Sequence, residues 1–456
     1  MSGYSPHTPA DVAAMLAAIG VNSIDDLFDH VPAKLRARAT VELPAGLTEP
    51  ELRQRFEALG TRNPGAVATT FLGAGAYPHW VPALVDQMLL RSEFATAYTP
   101  YQPEVSQGTL QAVFEFQTFS ALLTGLEVAN ASMYDGASAL AEAVLMSHRL
   151  LPERRVVWLA RSIHPHDRAP ISTCLRGLDA LEVREVPFAA DGRVYLPALQ
   201  AGLGPESLCV IVGYPNVFGV IEDVPTVAGL AHEVGALALT ATTEALALAH
   251  LRSPGACGVD IAVAEGQSFG LPVSYGGPGV GLFATRDRFV RSMPGRIVGE
   301  TVDTKGRRGF VLTLATREQH IRRERATSNI CTNQGLCALA VTVYLSLLGR
   351  HGLRQLADTN YRAAHAAAAR LQAVGMRPRF SAPFFNEFVV DAPAAAARWV
   401  ELGSTGIVPG YPLERWYPEL AGALLVCVTE THTADQVDRL VDTLTAAAPA
   451  AYSAGR

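Results

Sequence analysis

Small and polar residues cluster where a short apolar run ends in the second half of the chain. Residues 260–264 (DIAVA) lead into residues 265–281 (EGQSFGLPVSYGGPGVG), whose glycines return the chain toward another apolar run. Ligands of an open α/β sheet bind outside the carboxyl ends of its strands, so this loop is a candidate binding site. The glycines equally suit a set of tight turns that need positive φ angles, and spacing alone favours neither interpretation.

Two further segments have the same character. Residues 130–143 (NASMYDGASALAEA) place Asp135 and Gly136 before a predicted helix whose free N–H groups could hold a phosphate, although a plainly capped helix explains them as well. Residues 213–223 (GYPNVFGVIED) put Asn216 after a predicted strand, where its amide would face the same cleft. The three segments together predict one binding cleft.

Metal chemistry has little support in the sequence. The six cysteines lie far apart without a Cys-x-x-Cys pair, which predicts buried free thiols. His164 and His166 flank a proline and come nearest to the spacing of metal ligands. We interpret them as solvated loop histidines.

Four apolar runs predict the elements that position these loops. They are residues 155–160, 208–212, 237–241 and 260–264. Runs of this length that alternate with helices and are bounded by Gly or Pro are typical of a parallel sheet covered on both faces. The sequence therefore predicts an α/β fold with a mostly parallel central sheet and helices on both faces.

The two ends of the chain predict different structures. Residues 1–62 combine helical apolar spacing with proline breaks, which indicates an N-terminal helical arm before a large domain at 63–334. Residues 335–456 would form a long helix and a small C-terminal α+β domain. Its last helix should open with a capping box formed by Thr433 and Gln436.

Composition excludes several classes of protein. The 456 residues are 49% hydrophobic and 18% charged, as expected for a large globular protein with a well-buried core. The net charge is −6 and the arginines are scattered, which argues against a nucleic-acid partner. We find neither a leader segment nor an apolar stretch of about eighteen residues, so we expect a cytoplasmic protein without a membrane partner.

Several polar strings occur in the order typical of one family. They are residues 98–108 (YTPYQPEVSQG), 130–143, 214–223 (YPNVFGVIED), 265–281 and 323–332 (RERATSNICT). With them the chain resembles fold-type-I pyridoxal-phosphate (PLP) transferases, and most closely the N-terminal subunit of the split P-protein of the glycine cleavage system. The resemblance extends from Met15 to beyond Tyr344.

The resemblance implies a division of labour between two subunits. The catalytic partner is a homologous, lysine-bearing subunit 2 that holds the PLP, whereas the subunit similar to this chain holds no cofactor. Together they decarboxylate glycine and pass its aminomethyl group to the lipoyl arm of the H-protein. The implied assembly is a heterotetramer with two copies of each subunit.

The lysines of the chain agree with this implication. PLP chemistry needs a lysine amine to hold the cofactor aldehyde. Lysine occurs only at Lys34, in the predicted arm, and at Lys305, in a charged loop. By alignment with the family, Gln267 occupies the position of the catalytic lysine. The family also implies an Asp that binds the pyridine nitrogen of the cofactor, and Glu244 is the carboxylate nearest to that position in this sequence.

Polar residues of these strings are expected to contribute to the partner's active site: Tyr98, Tyr101, Gln102, Asn216, Arg325, Ser328 and Asn329. A simpler interpretation of residues 323–332 is that Thr332 or Asn333 caps the long helix that follows, and that the arginines form a solvated face. Two alternative interpretations are that the chain is a scaffold-only subunit, or that it is a self-sufficient PLP enzyme such as an aminotransferase or a desulfurase. The missing lysine argues against the second.

Overall fold

The structure is a computed structural model that describes residues 6–39, 42–63, 68–95, 98–178 and 181–447. The chain divides into two compact units, residues 1–66 and 67–456. The domain boundaries predicted at residues 62 and 334 stay predictions.

The first unit consists of short helices. They are α1 (Pro9–Ile19), α2 (Ala33–Arg38) and α3 (Glu49–Gly60). A capping box begins α1, where Thr8 and Asp11 bond each other's backbone N–H groups. None of these three described helices contains a buried side chain, and apolar residues such as Ile19 (61% exposed) and Phe56 (65% exposed) face outward. The predicted helical arm is confirmed.

The second unit contains the remaining described helices and all of the described strands. The helices are α4 (Ala83–Leu89), α5 (Ser92–Ala95), α6 (Gln107–Thr124), α7 (Gly136–Leu150), α8 (Pro165–Leu175), α9 (Leu196–Gly202), α10 (Val224–Glu233), α11 (Gln319–Arg322), α12 (Gly335–Ala373), α13 (Pro393–Ala397), α14 (Trp399–Ser404) and α15 (Ala434–Ala447). The strands are β1 (Thr69–Thr70), β2 (Val128–Ala129), β3 (Val156–Ala160), β4 (Glu182–Val186), β5 (Ser207–Gly213), β6 (Leu237–Thr242), β7 (Ile261–Glu265), β8 (Gly281–Thr285), β9 (Ile297–Val302), β10 (Arg308–Thr313), β11 (Glu387–Asp391), β12 (Ile407–Val408), β13 (Tyr411–Pro412) and β14 (Ala423–Cys427).

The central sheet has seven strands in the order β2-β8-β7-β6-β5-β3-β4. Neighbours from β4 to β7 run parallel, whereas β8 is antiparallel to both β7 and β2. Every residue of β5 is buried, and because successive side chains point to opposite faces, both faces of the sheet must be covered. The four apolar runs are β3, β5, β6 and β7, so the predicted α/β fold is confirmed.

The long helix α12 connects the region after the central sheet to the C-terminal elements. It extends from Gly335 to Ala373 and bends at Gly349, whose φ of 60° and ψ of −176° are not helical. By length and composition alone it could cross a membrane, but half of its most apolar window is buried. It packs against α4 and α6, as a core helix does.

The C-terminal elements form a small antiparallel sheet in the order β11-β14-β13, and α15 packs beside it. The predicted capping box is present at the start of α15. The N–H of Thr433 donates to Oε1 of Gln436 at 2.8 Å, and the N–H of Gln436 donates to Oγ1 of Thr433 at 3.3 Å. The predicted C-terminal α+β region is therefore confirmed.

Candidate functional site

A cavity of about 350 Å³ lies at the carboxyl ends of the parallel strands, and we call it the cleft. Its polar lining comes from the start of α7, the start of α8 and the ends of β6 and β7. These residues are Asp135, His164, His166, Asp167, Thr243, Glu265 and Gln267. Ligands of open α/β sheets bind at this edge, and two of the three predicted segments, 130–143 and 265–281, meet here.

Gln267 is buried two residues beyond the end of β7. Its Oε1 accepts a hydrogen bond from the backbone N–H of Tyr77 at 3.0 Å. Its Nε2 donates to the carbonyl oxygens of Tyr77 at 3.2 Å and Leu271 at 2.7 Å. The amide therefore joins two loops of the cleft wall and uses both of its polar ends in doing so.

Glu265 occupies the end of the cleft at the N-terminus of α7. Its Oε2 accepts a hydrogen bond from the N–H of Gly136, the first residue of α7, at 2.9 Å. Its Oε1 accepts from the N–H groups of Gln267 at 3.0 Å and Val280 at 2.9 Å. Burial raises the pKa of this carboxyl group, although the three N–H donors favour its ionised form.

Two further groups of the cleft, Asp167 and His164, have shifted pKa values. Burial and the negative charges of Glu265 and Asp135 raise the pKa of Asp167 to about 7. Burial lowers the pKa of His164 to about 4. Nε2 of His164 lies 3.0 Å from the carbonyl oxygen of Ala74 and Nδ1 accepts from a backbone N–H, so the imidazole is neutral with its proton on Nε2.

A second polar cluster surrounds the buried side chain of Arg296. Its two terminal nitrogens donate to the phenolic oxygen of Tyr101 at 3.0 Å, to the carbonyl oxygen of Cys331 at 2.7 Å, and to Oγ1 of Thr332 at 3.1 Å. Its Nε lies 3.6 Å from a carboxylate oxygen of Glu318. Arg296 therefore joins the segment around Tyr101 to residues 331–333.

The sequence did not single out Arg296, because a lone arginine in a strand-like segment gives no local sign of its partners. A cavity of about 230 Å³ lies beside it, lined in part by Tyr98, Thr332 and Asn333. The Arg296 cluster thus brings together two of the strings that predicted contributors to a site.

The residues predicted to contribute to the partner's active site lie mostly on the surface near this cluster. Tyr98 is 89% exposed, and Gln102 and Asn329 are also exposed. Arg325 is exposed, and within the described part of the chain its ion pair is with its neighbour Glu324, at 3.9 Å. Ser328 is half-buried, and its Oγ accepts a hydrogen bond from the N–H of Ile330. Their contribution to a partner's site stays a prediction.

Asn216 differs from the other contributors because its amide is used inside this chain. Nδ2 donates to the carbonyl oxygen of Gly192 at 2.9 Å and to Glu222 at 2.7 Å, while Oδ1 accepts from the N–H groups of Phe218 and Val220. These bonds hold the turn after β5. The predicted contact of Asn216 with a ligand remains untested.

Glu244 belongs to a buried network. One of its carboxylate oxygens lies 3.0 Å from Nε2 of His79, whose Nδ1 lies 2.8 Å from Glu430. Asn386 also donates to Glu244, at 3.2 Å. Burial would lower the pKa of His79, but the two carboxylates raise it to about 10. Glu244 is thus committed to an ion pair rather than available to a pyridine nitrogen.

Two local interpretations are wrong. Neither Thr332 nor Asn333 caps α12, whose N-cap is Gln334, because their side-chain oxygens accept hydrogen bonds from Arg296 instead. His164 and His166 do not lie in a solvated loop, since His164 is buried and is the N-cap of α8. Among the described residues no group of three or more His, Cys, Asp or Glu could hold a metal ion.

The fold is that of the fold-type-I PLP transferases. A solved sphingosine-1-phosphate lyase from Burkholderia pseudomallei superposes with a TM-score of 0.63 over 91% of this chain and 94% of that one. Its sequence identity is 16%, so this likeness shows the fold alone.

Closer relatives define the family. Residues 2–444 match the glycine cleavage system P-protein family. A probable glycine dehydrogenase (decarboxylating) subunit 1 from Anaeromyxobacter dehalogenans is 54% identical, over 94% of this chain and 96% of that protein. The crystal structure of a glycine decarboxylase (P-protein) in inhibitor-bound form is 42% identical, with a TM-score of 0.89 over 98% of this chain and 100% of that one. The chain belongs to the glycine cleavage system P-protein family.

The family is PLP-dependent, so the cleft can be compared with the needs of that cofactor. The cofactor aldehyde needs an amine, whereas the described lining of the cleft contains no lysine and presents the amide of Gln267. The cofactor phosphate needs donors or cations, whereas Asp135, Asp167 and Glu265 present carboxyl groups. The residues of this cleft do not fit PLP.

Proposed function

We propose that this chain is the cofactor-free subunit of a two-subunit glycine decarboxylase. The observation that carries the proposal is the amide of Gln267 in the cleft, bonded to Tyr77 and Leu271 where an amine would be needed. Lys34 lies in α2 and Lys305 in the turn between β9 and β10, so neither lysine is at the end of a central strand. An amide nitrogen is not nucleophilic and cannot condense with the cofactor aldehyde.

The partner is a homologous, lysine-bearing subunit that holds the PLP. Together the two subunits remove CO2 from glycine and transfer the aminomethyl group to the lipoyl arm of the H-protein. Support comes from relatives called subunit 1, and from the first unit, whose exposed apolar side chains suit burial against another chain. We propose two copies of each subunit in the assembly, and a cytoplasmic location as for an ordinary bacterial metabolic enzyme.

This chain also provides part of the wall of the partner's active site. The polar side chains near Arg296, all exposed except the half-buried Ser328, support this role, since polar loop residues on a rigid scaffold are frequently functional. They are Tyr98, Tyr101, Gln102, Arg325, Ser328 and Asn329. For Asn216 the proposal has only the sequence in its favour, because its amide is already bonded within the chain.

Reconstitution tests the proposal. The chain alone, the partner alone and their mixture are assayed for exchange of labelled bicarbonate into glycine in the presence of H-protein. We expect exchange in the mixture and none with this chain alone. Borohydride reduction with added PLP should leave Lys34 and Lys305 unlabelled. Exchange by the isolated chain, or stoichiometric labelling of either lysine, would contradict the proposal.

A further inference from the structure

We propose that Glu265 fills the anion-binding position of the cleft, and that this carboxylate, independently of the missing lysine, excludes phosphorylated ligands from it. The inference deepens the proposed function and rests on it, because it gives a second reason why this subunit holds no cofactor. It also assigns a selectivity to the cleft, which rejects phosphates.

The start of α7 is where an anion would bind. The first N–H groups of a helix are free and lie at the positive end of its dipole, which makes a helix N-terminus attractive to phosphates. Asp135 and Ala137, on either side of the first residue of α7, both line the cleft. The N–H of that first residue, Gly136, donates to Glu265. A carboxylate from the end of β7 therefore already has the hydrogen bond that a phosphate would seek.

The position is built around this carboxylate. Its three N–H donors come from separate segments, namely the start of α7, the loop after β7 and the residue before β8. Space for it depends on two glycines. A Cβ atom at Gly136 would lie 3.0 Å from Cβ of Glu265, and one at Gly279 would lie 2.9 Å from its Oε2. A side chain in place of either glycine would occupy space that the Glu265 side chain now fills.

Neighbouring charges act in the same direction. Asp135 lines the cleft beside Glu265, and so does Asp167, whose pKa of about 7 leaves it partly ionised at neutral pH. A phosphate monoester carries a charge of roughly −1.5 to −2 at neutral pH, so it would meet like charge where it needs donors. Replacing Gln267 alone would supply an amine but would leave this repulsion and the occupied N–H groups unchanged.

A purely structural role for Glu265 makes a different prediction. If its carboxylate only braces the loop between β7 and β8, its removal weakens the fold without creating any preference for phosphate. If it fills an anion position, its removal exposes the N–H of Gly136 at the start of α7 and the N–H groups of Gln267 and Val280 beside it, and a preference for phosphorylated ligands follows.

The test compares two full-length variants, Gln267→Lys and the double variant Glu265→Ser/Gln267→Lys. Equilibrium dialysis measures the binding of pyridoxal 5′-phosphate and of pyridoxal, which lacks the phosphate. We expect the single variant to bind pyridoxal 5′-phosphate no more tightly than pyridoxal, because Glu265 still occupies the N–H donors. The double variant should bind the phosphorylated one at least roughly tenfold more tightly, as for one charge-assisted hydrogen bond. A tenfold preference of the single variant for pyridoxal 5′-phosphate over pyridoxal overturns the proposal, and so does the absence of any increase in this preference in the double variant.

Asp260 provides the matched control, because it is a buried carboxylate immediately before the same strand and also accepts a backbone N–H, from Ala238. Asp260→Ser/Gln267→Lys should show no phosphate preference. A second readout uses Glu265→Ala with Gln267 retained, whose thermal midpoint should rise in inorganic phosphate while that of the unaltered chain does not. No rise counts against the proposal. None of these measurements involves the partner, so their failure leaves the reconstitution test untouched.

Discussion

Arg296 donates a 3.0 Å hydrogen bond to the phenolic oxygen of Tyr101, and its guanidinium group also lies over the ring of that tyrosine, 5.4 Å from the centroid. The same side chain donates to the carbonyl oxygen of Cys331. One buried cation thus fixes two segments that are more than two hundred residues apart in sequence. Both segments contain residues proposed to serve the partner's active site.

Arg296→Lys should lower aminomethyl transfer in the reconstituted complex. Lysine keeps the charge but lacks the planar fork that reaches Tyr101 and Cys331 together. We expect kcat to fall at least about tenfold, the effect of one lost contact worth about 1.4 kcal/mol, with KM for glycine nearly unchanged. Arg286→Lys is the control, because Arg286 also bonds a backbone carbonyl and a glutamate, and neither partner belongs to the Arg296 cluster. Unchanged kcat in an assembled Arg296→Lys complex would remove the positioning role.

Arg325→Ala and Asn329→Ala test whether the exposed string before α12 acts in the working site. We expect both variants to assemble with the partner and to transfer the aminomethyl group at least roughly tenfold more slowly. Arg307→Ala provides a control on an exposed arginine whose only described ion pair, with Asp303, lies within its own turn. Normal transfer in both test variants would favour the scaffold-only alternative.

Gln267→Lys should not give activity to the isolated chain. The new amine has no phosphate position beside it, and the substitution removes the bonds of Gln267 to Tyr77 and Leu271. We expect no glycine–bicarbonate exchange and a lower thermal midpoint, because the loops that Gln267 joins lose their hydrogen bonds. Exchange by this single variant without the partner would show that the remainder of the cleft is competent.

Local patterns predicted the parts of this fold that have local causes. The runs that became β3, β5, β6 and β7 are apolar because both faces of the sheet are covered, and that requirement is visible in any window of the sequence. The capping box of α15 was visible for the same reason, since its two partners are three residues apart.

The polar sites depend on contacts between residues that lie far apart in the sequence, so no short stretch of sequence contains both partners. Glu265 meets Gly136 across 129 positions and Arg296 meets Tyr101 across 195, so residue type alone could not assign either pair. The segment 265–281 was predicted as a site, but the carboxylate at its start was not recognised as the group that fills it. Likewise, Thr332 resembles a helix cap until Arg296 is placed beside it.

The buried ion pair of His79 predicts how stability depends on pH. The folded-state pKa of His79 is raised from 6.5 to about 10, so its stabilisation is fully present below pH 6.5 and is lost as the pH rises toward 10. Burial raises the pKa of Glu387 to about 8, which also lowers stability as the pH rises from 4.5 to 8. The guanidinium midpoint should therefore fall between pH 6.5 and 10. His79→Gln should flatten this fall above pH 8, and an equal slope in that variant would contradict the assignment.

Removal of residues 1–62 should weaken assembly with the partner. The described helices α1, α2 and α3 have no buried side chains, and exposed apolar residues such as Ile19 and Phe56 gain stability when they are buried in an interface. We expect the truncated chain to remain folded by circular dichroism but to elute apart from the partner at micromolar concentration in size-exclusion chromatography. Co-elution equal to that of the full chain would place the interface elsewhere.

The hydrogen bonds of Gln267 and Glu265 also make the specialisation of this subunit hard to reverse. Each side chain satisfies backbone groups that its replacement would leave unpaired, so each single step back toward a cofactor site loses stability before any binding is gained. Restoring an independent enzyme requires three changes together: an amine, an empty anion position, and new hydrogen bonds for the loops that Gln267 and Glu265 now hold. The hydrogen bonds that stabilise this fold are therefore the same bonds that keep the cleft without an amine and without an open anion position.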